Sequence, residues 1–468
     1  MKKRATLVRI QVKNLFNRFS YDIDLDNGYD VAILHAPNGC GKTTVFNLVD
    51  FIFNPTVAKF KSIYSIPFDS CYCTLSTGKT IGLEMRKPKK TTEKREYYKW
   101  MQRIEASPNK PRSNANSIRE LYMIINNEAF NITEAMRDAV SYSDDEEMLP
   151  FESGHFESMV ENIYLDEESM LMLPTEYVRS FSYFIEFREK NGCNLDVNYI
   201  SADRLHKQNK ISPERYHYGR YNRYGEQEID NPLVAMQNSI KSLYRKTDAE
   251  YRRLVSEARD RLPKMYLKSS DKEVMSFNEF AKSWKEYTTN LERLYKLGLI
   301  DSVEKILENN ELKESFNHNS TFLTVYLNAF KGTLEPWNRE YKRMKLFADI
   351  LNKRNRVTGK ILKFGYDGII ISIDDQNLPL NCLSSGEKND LIMFYNLIFN
   401  SKKDGLVLVD EPEISLHIEW QEEYLDCLLE ICEMNELQAI IATHSPNIIN
   451  GHIELFAKRG LQNGYRRN

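Results

Sequence analysis

The sequence predicts an α/β fold in which a head is assembled from both ends of the chain and a helical arm is inserted between them. Three observations carry this expectation. A glycine-bearing loop near residue 40 lies between a buried strand pattern and a helix, the arrangement that cradles phosphates. Two further apolar strand patterns, Leu406–Val409 and Ile440–Ala442, end in polar side chains far down the chain. Between them, from about Pro232 to Val357, lies a stretch rich in Lys, Glu, Leu, Asn and Tyr and almost free of glycine.

Length and composition set the outer bounds. A chain of 468 residues exceeds what one core usually organises, and 41% apolar residues suffice for a sizeable one. The formal charge of −3 excludes a globally basic nucleic-acid coat but leaves local patches open. The seven cysteines include no two CxxC pairs at zinc spacing, which fits buried thiols in a reducing cytoplasm. Cys71 and Cys73 fall on one face of a strand, where core filling outweighs metal binding. No segment approaches the roughly 18 apolar residues of a membrane span, and the basic N-terminus runs into strand-like alternation. A soluble, cytoplasmic protein without a membrane partner is expected.

The elements follow in order. Residues 6–35 alternate as strands and finish in the apolar Val31-Ala-Ile-Leu-His35; a helix is expected over 45–53, and a hairpin over 69–87 turns at Ser76-Thr-Gly-Lys79. Five segments result. An N-terminal head lobe (1–87) precedes an irregular insertion (88–195), with a basic stretch, a Ser/Asn/Pro loop and an acidic run. A head strand with a basic and aromatic segment (196–231) leads into the helical arm (232–356). A C-terminal head lobe (357–468) opens with strands near Lys360–Phe364 and Gly368–Ile373. A helix of about 35 residues reaches roughly 50 Å, so the arm is short or folds into a bundle.

Four motifs carry chemistry. In Ala36-Pro-Asn-Gly-Cys-Gly-Lys-Thr-Thr44 the glycines let backbone N–H groups converge on phosphates at a helix N-terminus. Asn38, Gly39, Cys40, Gly41, Lys42, Thr43 and Thr44 are the candidate phosphate-binding residues, with Lys42 directed at the β and γ phosphates and Thr43 at magnesium. Ala36 stands where the usual pattern has glycine. The run Leu406-Val-Leu-Val-Asp-Glu-Pro412 places Asp410, a candidate metal ligand, and Glu411, a candidate general base, at a strand tip where ligands gather in α/β sheets. Leu383-Ser-Ser-Gly-Glu-Lys388 precedes an apolar helix; its serines cap that helix and the same geometry accepts an anion. Ile440-Ile-Ala-Thr-His-Ser-Pro446 ends a strand in His444, a surface or core histidine or a catalytic one.

The order of Walker A, signature, Walker B, D-loop and switch histidine resembles the ABC ATPase superfamily. Pro37–Lys42 and Leu383–Glu387 resemble its SMC, RecF and OLD branch. Residues 380–450, with Val409-Asp-Glu-Pro-Glu-Ile-Ser-Leu-His-Ile-Glu-Trp-Gln421 and Ala442-Thr-His-Ser-Pro-Asn-Ile-Ile449, resemble ATPase subunits of bacterial antiphage systems of the PARIS and Septu types. The resemblance implies ATP and Mg2+ as cofactors and slow hydrolysis to ADP and phosphate. It implies catalytic roles for Glu411 and His444, and metal ligation by Thr43 and Asp410. Ser384, Ser385 and Gly386 would complete the site of a second copy in a head-to-head dimer or higher homo-oligomer, with Glu413–His417 as a D-loop crossing between copies. No glutamine can be assigned as the Q-loop residue, and Phe16, Phe19 and Tyr21 all remain candidates for stacking on adenine.

The implied role is an ATP-driven sensor or scaffold that restrains a separate nuclease effector of Toprim or HNH type until a phage-encoded trigger arrives. OLD-type relatives carry a nuclease domain after the switch histidine; the stretch from His444 to Asn468 is too short for one, so no nuclease activity of its own is expected. The competing readings are a RecF- or SMC-like DNA-binding ATPase in repair, and an OLD-type nuclease acting alone. Residues 204–224, with Arg204, Arg215, Arg220 and Arg223 among tyrosines, and residues 86–100 are candidate nucleic-acid contacts or, equally, solvated or protein-facing surface.

Overall fold

In the computed structural model, residues 5–26, 28–55, 57–87, 119–134, 187–202, 232–269, 274–301, 309–414, 416–458 and 460–461 are described. The chain divides into two compact units, one joining Met1–Glu228 to Phe399–Asn468 and the other formed by Ile229–Ile398. Both chain ends thus build one unit, as the positions of the phosphate loop and the late strands predict. The signature segment belongs to the second unit, whereas the sequence grouped residues 357–398 with the C-terminal lobe.

The first unit holds two sheets. Strands β1 (Leu7–Leu15), β2 (Phe19–Asp24), β4 (Ser70–Leu75), β5 (Thr80–Arg86), β6 (Glu120–Ile125) and β7 (Glu128–Asn131) form an antiparallel sheet in the order β2-β1-β4-β5-β6-β7. The expected hairpin is β4–β5, and Cys71 and Cys73 are both fully buried on β4. The insertion was expected to be irregular, yet β6 and β7 extend this sheet, with Leu121, Met123 and Ile125 alternating into the core. The remainder of that insertion lies largely outside the described residues.

The second sheet is parallel, in the order β3-β13-β12-β8, formed by β3 (Val31–His35), β8 (Val197–Ile200), β12 (Leu406–Asp410) and β13 (Gln438–Thr443). Strands β12 and β13 are buried along their whole length, which is why they read as unbroken apolar runs. Pairing of Asp410 with Ala442 and of Thr443 with His35 brings the C-terminal tips of β3, β12 and β13 to one edge. Helix α1 (Lys42–Phe53) leaves that edge directly and buries Val45, Phe46, Leu48, Val49, Phe51 and Ile52. Helix α2 (Val57–Tyr64) follows it in the chain.

The second unit is built on helix α3 (Pro232–Lys268), whose 37 residues span about 55 Å at 1.5 Å per residue. Helices α4 (Phe277–Lys296), α5 (Asn309–Phe330) and α6 (Glu335–Arg354) complete a short arm rather than a long coiled coil. Phe280, Leu312, Phe316 and Leu327 form its apolar cluster, with Phe280 stacked on Phe316 at 4.8 Å. A three-stranded antiparallel sheet, β9 (Ile361–Gly365), β10 (Gly368–Ile373) and β11 (Gln376–Leu378), is tied to α3 by Gln237, which donates to Asp367 O and Ile369 O and accepts from Ile369 N–H. Helix α7 (Ser385–Ile398) is anchored by a buried ion pair, Arg354 to Asp390 at 2.9 Å, with the guanidinium over the Phe394 ring. Among the described residues no helix is long and apolar enough to cross a membrane.

Candidate functional site

Between β3 and α1 the chain must turn sharply, and Gly39 (φ 77°) and Gly41 (φ 91°) do so in the left-handed region. At Gly41 a Cβ would also stand 2.9 Å from side-chain atoms of Leu15 and of Phe16, so the position has neither the dihedral nor the space for another residue. Ala36 adopts no left-handed backbone, which explains why alanine suffices where the usual pattern has glycine. The loop is braced from behind, because the buried Tyr21 hydroxyl donates to Cys40 O at 2.7 Å. Cys40 is buried, whereas Asn38, Gly39 and Thr43 are exposed and Thr44 is half-buried.

The charged side chains converge at the strand tips. Lys42, buried at 5% exposure, donates from Nζ to Ala36 O at 2.7 Å and lies 3.8 Å from Glu411 Oε1. Thr43 Oγ1 donates to Asp410 Oδ2 at 2.7 Å, and the Tyr199 hydroxyl donates to the same oxygen at 3.4 Å. Burial raises the Asp410 pKa above the ordinary carboxylate value, the Glu411 charge adds to the rise, and the Thr43 bond opposes it. Burial also pushes the Tyr199 phenol up, so it stays a donor.

Glu411 turns the chain off β12 with φ 45°, a left-handed conformation that side chains rarely adopt, and its N–H donates to Ala442 O at 2.8 Å. Its Oε2 lies 2.9 Å from His444 Nδ1, which is also 3.1 Å from Glu413 Oε1. The donor atoms of Glu411, Glu413 and His444 all fall within 4.8 Å of one another. Both carboxylates thus stand close to one ring nitrogen of His444.

A hard divalent cation fits the oxygen pair of Thr43 and Asp410, since a hydroxyl and a buried carboxylate facing a phosphate loop make the donor set magnesium accepts. The destabilised carboxylate has a measurable consequence. A raised folded-state pKa means that Asp410 contributes stability below its unfolded pKa of about 3.9 and loses it as pH rises through the folded value. Asp410→Asn is therefore expected to raise the thermal unfolding midpoint of the metal-free protein at pH 7.5. Calorimetry should show that gain shrinking toward pH 3.5.

Lys42, Thr43, Asp410, Glu411 and His444, predicted separately, thus share one edge. Ser384, Ser385 and Gly386 lie in the second unit, at the N-terminus of α7. The Ser384 hydroxyl accepts from Glu387 N–H at 3.3 Å and the Glu387 carboxylate accepts from Ser384 N–H at 2.8 Å, a reciprocal cap that Lys360 holds from the other side of Glu387. Both serines are exposed. Of the three aromatic candidates for adenine, Phe19 and Tyr21 are buried at 9% and 2% exposure, and Phe16 at 39% stands against Gly41. Residues 204–224, including Arg204, lie outside the described residues, as do 88–100. Arg86 is engaged within the antiparallel sheet, bonded to Glu84 and over the Tyr122 ring. The sequence reading missed Tyr199 and the inward turn of Glu413; the tyrosine's place one residue before the end of strand β8 was its only signal.

A phosphate loop feeding a helix, with a hydroxyl–carboxylate pair and a second acid at the neighbouring strand tip, defines a P-loop nucleoside triphosphatase. The chain matches the AAA ATPase domain family over residues 6–449 and belongs to it; the protein is an ATPase of that family. Similar solved structures include the Smc head domain with an extended coiled coil bound to the C-terminal domain of ScpA, from Pyrococcus furiosus. It is 11% identical, with 98% of this chain and 96% of that chain covered and a TM-score of 0.39. An Smc head bound to the C-terminal winged-helix domain of ScpA is 10% identical, with 98% and 97% covered and a TM-score of 0.35. No curated protein matches the chain.

Proposed function

We propose that the protein binds ATP with Mg2+ at the β3–α1 loop and hydrolyses it slowly, and that it works as the sensor or scaffold subunit of an antiphage complex, restraining a separate nuclease. The convergence of Lys42, Thr43, Asp410, Glu411 and His444 at one sheet edge carries the first half. In this reading the loop from Asn38 to Thr44 wraps the phosphates and Lys42 turns its ammonium from Ala36 O toward the β and γ oxygens. Thr43 and Asp410 hold the ion, which supplies neutralisation of phosphate charge. Glu411 takes a proton from the attacking water, and its strained backbone keeps the carboxylate at the strand tip. His444, whose Nδ1 lies 2.9 Å from that carboxylate, is the switch residue that meets the γ-phosphate.

The exposed, reciprocally capped start of α7 supports the second copy's part, since Ser384, Ser385 and Gly386 offer an anion site at a helix N-terminus. A Ser384→Arg protein is expected to bind nucleotide yet not hydrolyse it. Mixing it with Lys42→Ala should restore part of the rate, because one composite site of the mixed dimer is intact. No recovery in mixtures shown by mass spectrometry to exchange subunits would refute a shared site. The likeness of residues 380–450 to antiphage ATPase subunits supports the effector half. Its test is co-purification with the product of the neighbouring gene, whose retention should differ between wild type, Lys42→Ala and Glu411→Gln. DNA retained in place of a protein effector would favour the repair reading.

A further inference from the structure

The side chain of Glu413 is 7% exposed, although the segment it opens resembles a loop that crosses to a second copy. It points the other way. Its Oε1 accepts from the Thr443 hydroxyl at 2.8 Å, from His444 N–H at 3.0 Å and from Ser445 N–H at 3.2 Å, and it lies 3.1 Å from His444 Nδ1. One oxygen therefore holds the backbone on both sides of the histidine and one edge of its ring. A second tie runs parallel: Ser445 Oγ donates to Gln421 Oε1 at 2.8 Å, and Gln421 Nε2 donates to Leu416 O at 3.1 Å. The other oxygen, Glu413 Oε2, is buried and has no hydrogen-bond partner among the described residues. A buried carboxylate with one oxygen unmatched is poorly placed to stabilise a fold. It is well placed to orient a dipole and a ring.

We infer that Glu413 is a positioning residue for hydrolysis: it clamps the Thr443–Ser445 turn and aims His444 at Glu411, joining the segment after β12 to the histidine turn as one moving piece. The inference rests on the ATPase reading of this site. Its physical content is that Glu413 touches neither nucleotide nor water and acts only through His444. Loss of the clamp misplaces the imidazole, and a displacement near 1 Å costs about 10²-fold in rate.

The test is a double-mutant cycle on the full chain with ATP and Mg2+, read alongside amide hydrogen exchange by mass spectrometry. Glu413→Ala should lower kcat about 10²-fold while KM for ATP moves less than about threefold. In the His444→Ala background the same change should cost nothing further, because its route is already gone. Exchange should rise at the amides of His444 and Ser445 and leave α1 unchanged. Glu413→Gln, which keeps an oxygen acceptor, covers the case in which alanine does not fold; it should slow turnover less and keep part of the protection. Independent, multiplying losses in the cycle would overturn the inference, as would unchanged exchange at His444 and Ser445. The exchange arm needs no turnover. A wild-type protein that failed to hydrolyse ATP would sink the proposed function, and the exchange result would still decide whether Glu413 holds the turn.

Discussion

Glu411→Gln is expected to bind ATP as tightly as wild type and to turn it over roughly 10²- to 10⁴-fold more slowly, the usual contribution of a general base. The amide preserves shape and keeps an oxygen facing His444 Nδ1, which lies 2.9 Å from the present carboxylate. What it loses is the capacity to take a proton. It also removes the negative charge 3.8 Å from Lys42 Nζ, leaving the ammonium freer to turn to phosphate. Filter binding with radiolabelled ATP and a phosphate-release assay separate the two quantities. Turnover near the wild-type rate would take Glu411 out of the role of base.

Lys42→Ala is expected to abolish ATP binding at concentrations that saturate the wild-type protein. Lys42 is the cation that emerges from the phosphate loop itself, and it is held at the loop's base by Ala36 O at 2.7 Å. Its loss removes the counter-charge to the phosphates and opens a gap at the start of α1, where Lys42 is 5% exposed. A charge-assisted contact to phosphate contributes more than an ordinary hydrogen bond, so the remaining backbone donors should not compensate. Isothermal titration calorimetry checks this. Retained affinity would place the phosphates elsewhere.

Much of this arrangement was legible in the sequence for one physical reason. Strands β3, β12 and β13 are buried on both faces, so they appear as apolar runs whose polar termini stand out, and the residues that stand out are those at the edge: Asp410, Glu411 and His444. The loop was legible because Gly39 and Gly41 satisfy a dihedral requirement that other residues meet poorly. Strands β6 and β7 were hidden because the alternation of Leu121, Met123 and Ile125 is short and ends in Asn126-Asn127, within a long polar insertion. Glu413 was hidden because composition treats an acid beside a proline as solvated, and only the tertiary fold supplies the three donors that turn it inward. The unit to which the signature belongs was likewise beyond local pattern. Within that unit Arg354 of α6 pairs with Asp390 of α7, a contact between positions 36 residues apart.

The parallel sheet also constrains how the protein comes into being. Strand β3 pairs on one side with β13, and Leu7 exchanges hydrogen bonds with the side chain of Gln438, partners 431 positions apart in the chain. During synthesis, therefore, β3 and the phosphate loop wait for nearly the whole chain before their strand partner exists, and the apolar run Val31–Leu34 is exposed for that time. At about 5 to 20 residues per second, some 400 residues take roughly 20 to 80 s to make. Closure of so distant a pair carries a large loop entropy and is slow. The phosphate loop is consequently among the last parts of the described fold to gain its strand neighbour.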